Sequence, residues 1–320
     1  MKLKFKLTFN WALLILLVVL FVTISSINSV FLSFDYLIGV MLRNIVEIGM
    51  MALAVTLIII TGGIDLSVGS TLVLSSMIGG IAAVKGGSAL GVAAAITVGI
   101  ACGLFNGFLI AKIKISPLVT TLATMYLYMG LARSISKGNS IYSYPASQWM
   151  GTKEIAYIPV QLFVYAILAF IIWFILSKTT IGRKLFAIGL NEHATIYSGI
   201  NTDRIKIFIY FLSGLVCAIA GLIWLGRFTS VKYDAGTSLG LKVVTVIVLG
   251  GTSIMGGIGD IKGTVLATLI IAVLNSGLTV LSIPVTTQTI VHGSILVISL
   301  VSYFIINEKM GKNRVVKLRA

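Results

Sequence analysis

The chain has 320 residues, 58% of them hydrophobic and only 10% charged, with a mean hydropathy of +1.09 and a formal net charge of +15. Soluble domains carry about 25% charged residues, so a chain this apolar cannot cover a globule with polar groups, and its outer surface must face lipid. The apolar runs at 12–22, 51–60, 162–176 and 295–306 are continuous rather than alternating, which favours spanning helices over a membrane barrel. The expected fold is all-α: a polytopic transmembrane helical bundle of about ten helices with broken or re-entrant segments, forming one domain over 1–320.

Lys2, Lys4 and Lys6 precede an apolar run that begins at Trp11, as in a signal peptide, but no A-x-A site follows. A retained first helix is expected. Helices are predicted at roughly 9–30, 36–61, 68–84, 89–111, 117–135, 159–177, 205–226, 242–259, 263–283 and 285–306. Ten crossings starting inside put both termini in the cytoplasm. Sixteen Lys and Arg residues then fall inside and five outside, as the positive-inside rule requires. The basic excess is a topology signal and not a nucleic-acid patch.

Cys102 and Cys217 lie in apolar stretches and read as packing residues rather than a disulfide. His193 and His292 are far apart in sequence, so no metal cluster is expected. The outer segment 136–158 carries Tyr142, Tyr144, Trp149 and Tyr157, the composition of an interfacial aromatic belt. The inner segment 178–203 is polar and basic and interrupts two long apolar stretches. It is suited to presenting a short helix to a cytoplasmic partner.

Two glycine-rich interruptions stand out. The first holds Gly62, Gly63, Asp65 and Ser67; the second runs over 250–260, with Gly-Gly at each end of Thr252–Met255 and an aspartate at 260. A carboxylate at membrane depth costs about 2.5–3.5 kcal/mol on insertion scales, and unwound backbone is tolerated there only when buried or lining a cavity. Paired broken helices point to a central translocation path. A tight turn with Asp65 capping the following helix is the alternative. Asn106, Thr120, Thr121, Asn275 and Gln288 are uncharged and suit hydrogen bonding to a polyhydroxylated solute, or equally bonding between helices. Arg43 and Glu47 are four residues apart and are expected to pair with each other. Gly99, Gly103 and Gly107 form a small-residue ridge for close helix packing. No G-x-x-x-x-G-K-[ST] loop and no catalytic triad pattern is present, so the chain is not expected to be an enzyme or to bind ATP itself.

The run Ile60-Thr61-Gly62-Gly63-Ile64-Asp65-Leu66-Ser67-Val68-Gly69 resembles the signature of the ribose/monosaccharide-type permeases of ABC importers, a group that includes rhamnose- and autoinducer-2-type subunits. Residues 187–201 are similar to that family's cytoplasmic coupling loop, and 248–257 with Asn275-Ser276-Gly277-Leu278 resemble two further blocks. The resemblance spans about residues 40 to 300 and implies a second permease, cytoplasmic ATP-binding subunits that hold ATP and Mg, and an extracytoplasmic sugar-binding protein. It implies alternating access across the bacterial inner membrane. Gly189, Asn191, Glu192, Ala194, Ser198 and Gly199 would meet the ATPase. Leu190 departs from the pattern, standing where a second glycine is usual, which implies a stiffer loop. An ATP-independent secondary transporter or channel is the alternative, and 178–203 discriminates the two, since only a permease needs a docking segment there.

Overall fold

The computed structural model describes residues 2–284, 286–299 and 301. The basic run from Lys309 to Arg319 and the end of the last expected helix lie outside them. Among the described residues, six helices are long and apolar enough to cross a membrane. Among the described residues the only strands are two-residue pairs.

In chain order α1 is Lys2–Ile27, followed after a short irregular stretch by a π-helical segment, Asp35–Leu42, that leads into α2, Val46–Ile60. Every residue of α2 is buried, which makes it the central helix. Gly62, in the left-handed region at φ +82°, ends it. α3, Val68–Ala111, is bent at Gly86 and Gly87, where φ +80° at Gly87 breaks the ladder. Its 44 residues would span about 66 Å, twice a bilayer core, so the bend turns it into two crossings. α4 is Pro117–Ser136, α5 Pro145–Thr152 and α6 Val160–Lys178. α7, Thr180–Leu190, and α8, Glu192–Tyr197, are short and separated only by Asn191, whose side chain caps α8 by accepting from the Ala194 amide at 3.0 Å. α9 is Thr202–Phe228, α10 Leu239–Leu249 and α11 Ile261–Val280; residues 286–299 form a final helix.

The small-residue ridge packs as its spacing demands. A Cβ on Gly99 would stand 2.5 Å from the Gly214 carbonyl, and one on Gly103 2.3 Å from the Tyr210 carbonyl. Hence α3 and α9 meet backbone to backbone. At the end of the bundle away from 178–203, strand β1 (Ile141–Tyr142) pairs antiparallel with Ser230–Val231, and Glu154–Ile155 pairs with Ile158–Pro159.

Three expectations are corrected. Helix 242–259 ends at Leu249, because Gly251, Gly256 and Gly257 all adopt positive φ and carry the chain through an irregular turn. The belt segment 136–158 includes the helix α5, and its Tyr144 is buried, whereas Tyr142, Trp149 and Tyr157 are exposed. Arg43 does not pair with Glu47. It bonds Glu154 at 2.9 Å, and Glu47 instead receives Arg227 Nε at 2.9 Å. The π-helical winding and the short 3-10 turn at Arg43–Ile45 change the angular offset on which the four-residue spacing relied.

Candidate functional site

The first glycine interruption leaves α2, runs without regular structure through Gly63–Leu66 and enters α3 at Val68. Asp65 is buried and sits in a hydrogen-bonded cluster. Its Oδ1 accepts from the Ser67 amide at 3.0 Å and the Ser67 hydroxyl at 2.7 Å, and its Oδ2 accepts from Ser213 of α9 at 3.3 Å. Asn106 Nδ2 donates to Ser67 Oγ at 2.8 Å, and the Tyr128 hydroxyl lies 3.1 Å from Asn106 Oδ1 and 3.0 Å from the Cys102 carbonyl. Thr121 donates to the Ile64 carbonyl at 3.1 Å. Three helices, α3, α4 and α9, are thereby tied to one unwound segment, and within a single chain this cluster is closed. Thr120 is buried beside it, with its hydroxyl unpartnered.

Asn275 and Gln288 are placed elsewhere. Asn275 lies in the last turns of α11, and Gln288 donates to the Ile283 carbonyl at 3.0 Å and closes the turn into the final helix. Ser213 and Tyr128 complete the Asp65 cluster and were not singled out in the sequence. A serine or tyrosine within an apolar helix gives no local sign of which partner it meets.

The two glycine interruptions touch each other. The Gly257 amide donates to the Ile60 carbonyl at 2.8 Å, across the end of α2. A Cβ on Gly256 would stand 2.9 Å from Gly62 N and 3.0 Å from Gly189 O. Gly189, near the end of α7, fills the remaining space: its Cβ would come within 1.9 Å of the Ile60 carbonyl and 2.4 Å of Gly257 N. So Gly189 faces inward and keys α7 into both interruptions. Asn10 Nδ2 donates to Asp260 Oδ2 at 3.2 Å, bringing the start of α1 to the same end of the bundle.

Much of the stretch 190–199 faces outward. Asn191, His193, Ala194, Ser198 and Gly199 are exposed, as are the apolar side chains of Leu190, Ile196 and Tyr197, the last at 90%. Glu192 binds Lys206 of α9 through both carboxylate oxygens at 2.7 Å. Asp203 pairs with Lys112 and Lys114 and thereby fixes the loop between α3 and α4 to the start of α9. An apolar patch set in a basic, helix-borne rim is the geometry of a protein-docking surface.

A family model described as "Branched-chain amino acid transport system / permease component" matches residues 36–300. The chain belongs to this family. It is 34% identical over 292 residues to the ribose import permease protein RbsC of Escherichia coli K12, covering 89% of this chain and 91% of that one. It is 37% identical over 287 residues to RbsC of Bacillus subtilis, covering 88% and 89%. It is also 35% identical over 303 residues to the autoinducer 2 import system permease protein LsrD of Klebsiella pneumoniae, covering 92% and 91%. No solved structure matches the chain.

Proposed function

We propose that this chain is the membrane-spanning permease subunit of a bacterial ATP-binding cassette importer that carries a monosaccharide or sugar-like solute into the cytoplasm. The observation that carries the reading is the 178–203 segment: two short helices, exposed on one side through Leu190, Ile196 and Tyr197 and keyed on the other into both broken segments by Gly189. A channel that works alone has no use for such an arrangement. The relatives' names supply the solute class, since they are ribose and autoinducer 2 import permeases.

In this reading the chain is one permease domain with both termini in the cytoplasm, and the Asn10–Asp260 contact supports the placement of the N-terminal end. A second permease, the same or a homologous chain, completes the path, and an extracytoplasmic sugar-binding protein delivers the solute. Cytoplasmic subunits bind ATP and Mg, and this chain catalyses nothing. When the ATPases close, α7 and α8 are carried with them and the path alternates between its two openings. The test is affinity purification of the tagged protein from mild detergent. An ATP-binding subunit should co-purify and should be lost on Glu192→Ala. A preparation that contains no ATPase yet transports in liposomes would establish a secondary transporter instead.

A further inference from the structure

The stretch that links α9 to α10 crosses half of the membrane without forming a helix. Its start, Val231, pairs with Ile141 of β1, and Ile141 lies against Gly80 of α3. Five residues later Gly236 is wedged between Gly69 and Val73 of the same helix: a Cβ on Gly236 would stand 2.2 Å from the Gly69 carbonyl and 3.0 Å from Val73 Cγ2. At about 1.5 Å per residue, Gly69 and Val73 lie about 10–16 Å below Gly80. The α10 helix then supplies about 16 Å more from Leu239 to Leu249, leading into the turn whose Gly256 and Gly257 meet Gly189. The two halves sum to about the 30 Å of a bilayer core. The upper half is irregular backbone, held by successive turns from Ala235 N to Lys232 O, Thr237 N to Asp234 O and Leu239 N to Gly236 O.

Irregular backbone at this depth is tolerated only where protein covers it or water reaches it. One side of 232–242 is covered by α3, through the Gly69–Gly236 contact, and by the unwound stretch before it, since a Cβ on Gly240 would stand 2.6 Å from the Leu66 carbonyl. On the other side Asp234, Thr237 and Ser238 are exposed, and Lys242, one turn below Ser238, is half-buried. Asp234 has no ion-pair partner among the described residues, and a charged group facing hydrocarbon costs about 2.5–3.5 kcal/mol or more. His292 of the final helix is buried, and its Nδ1 has no hydrogen-bond partner among the described residues. Polar groups therefore line one continuous side of this segment at mid-membrane depth.

We infer that the uncovered side of 232–242, bearing Asp234, Thr237 and Ser238 with Lys242 below them, lines the aqueous path through this permease and meets a polar, hydrogen-bonding solute. The inference rests on the permease reading but moves the path-lining role away from Asp65, Ser67 and Asn106, which are occupied with one another inside the chain.

The test uses Thr237→Cys and Ser238→Cys in the full transporter, in right-side-out and inside-out membrane vesicles, with an impermeant sulfonated methanethiosulfonate as probe. The native Cys102 and Cys217 are buried, and the unsubstituted protein sets the baseline. Tyr142→Cys, exposed beside Ser230, is the accessible control, and Phe170→Cys, exposed on apolar α6, is the lipid-facing one. Cysteines at 237 and 238 should be labelled from one face or the other at rates within about tenfold of the Tyr142 control, with the Phe170 control unlabelled. Labelling from neither face, as for Phe170→Cys, would overturn the inference. The two positions are read separately, so poor insertion of one variant leaves the other to decide. Labelling needs no ATPase. A labelled path in a protein that recruits no ATPase would thus overturn the importer reading while leaving the path in place.

Discussion

Breaking the Glu47–Arg227 pair should destabilise the protein asymmetrically. Glu47 is completely buried in the first turn of α2, and its Oε2 has no hydrogen-bond partner among the described residues. Arg227, at the end of α9, is 9% exposed and donates through Nε to Glu47 at 2.9 Å. Arg227 also bonds Asn44, and its guanidinium lies 4.3 Å from the Phe228 ring centroid and 5.8 Å from that of Trp224. Arg227→Met leaves a carboxyl with no compensating charge, a change that costs about 3–5 kcal/mol in buried pairs. Glu47→Leu leaves the guanidinium with Asn44 and two ring faces, each ring contact contributing about 0.5–2 kcal/mol. The expected loss is therefore smaller, about 1–3 kcal/mol. The double variant should recover most of the loss, because apolar replacement of a whole buried pair is often close to neutral. The assay is built into the chain: Cys102 and Cys217 are buried thiols, so a thiol-reactive dye reports unfolding of detergent-solubilised protein in heat or SDS titrations. The reasoning is refuted if Glu47→Leu costs as much as Arg227→Met, or if the two losses simply add.

Other expectations follow from the same contacts. Gly189→Ala puts a Cβ 1.9 Å from the Ile60 carbonyl, so α7 must lift from the junction; uptake should fall at least tenfold at unchanged membrane abundance, measured in proteoliposomes with the ATPase present. Gly256→Ala opens the same contact from the other side and also forces a side chain onto φ +82°; combined with Gly189→Ala it should add little to the loss, whereas fully additive losses would separate the two positions. Glu192→Ala removes a partly exposed pair with Lys206, so stability should change by less than about 1 kcal/mol while ATPase co-purification drops; binding and uptake at wild-type level would exclude a role in coupling. Asp65→Leu strips acceptors from the Ser67 amide, Ser67 hydroxyl and Ser213, and should cost about 1–3 kcal/mol per group left unpaired, with Asp65→Asn costing less; a thermal midpoint equal to wild type would show that the cluster contributes nothing to the fold.

Sequence patterns reported the elements whose cause is local. The break expected between helices 68–84 and 89–111 marked the bend in α3, the four-residue spacing of Gly99, Gly103 and Gly107 marked the face that meets α9, and the polar run at 178–203 marked α7 and α8. What the sequence hid was non-local. Arg43 and Glu47 satisfy a helical spacing rule, yet π-helical winding rotates them apart and each finds a partner more than a hundred residues away. Gly189 reads as a small surface residue, and only the approach of Ile60 and Gly257 turns it inward. The 232–242 segment was not legible: the expected helix 242–259 was long enough to span alone, and only its end at Leu249 leaves α10 with eleven residues, too few to cross a bilayer. Hydropathy alone assigned it to a loop outside the membrane, because Lys232 and Asp234 look like solvent residues until Gly69 is seen to hold Gly236.

The glycines at the junction bear on how motion would pass through the molecule. Side-chain contacts between helices can repack by rotamer changes, so a displacement at one end is partly absorbed. Here Gly189, Ile60, Gly62, Gly256 and Gly257 meet through backbone atoms, with no flexible side chain between them. A shift of α7 by an ångström therefore displaces the end of α2 and the turn below α10 together. The irregular Gly63–Leu66 stretch leads from one of these to the Asp65 cluster, and α10 leads from the other to Ser238. The docking surface and the proposed path are thus joined by a connection of two arms, each stiffened where it matters: one by the hydrogen bonds around Asp65, the other by the Gly69–Gly236 and Leu66–Gly240 contacts that bind it back to α3 and the unwound stretch before it. The arms converge, because Leu66 lies beside Asp65 and also carries the carbonyl that seats Gly240. This convergence gives Asp65 a use without contact to solute: it fixes the geometry against which the re-entrant segment is held.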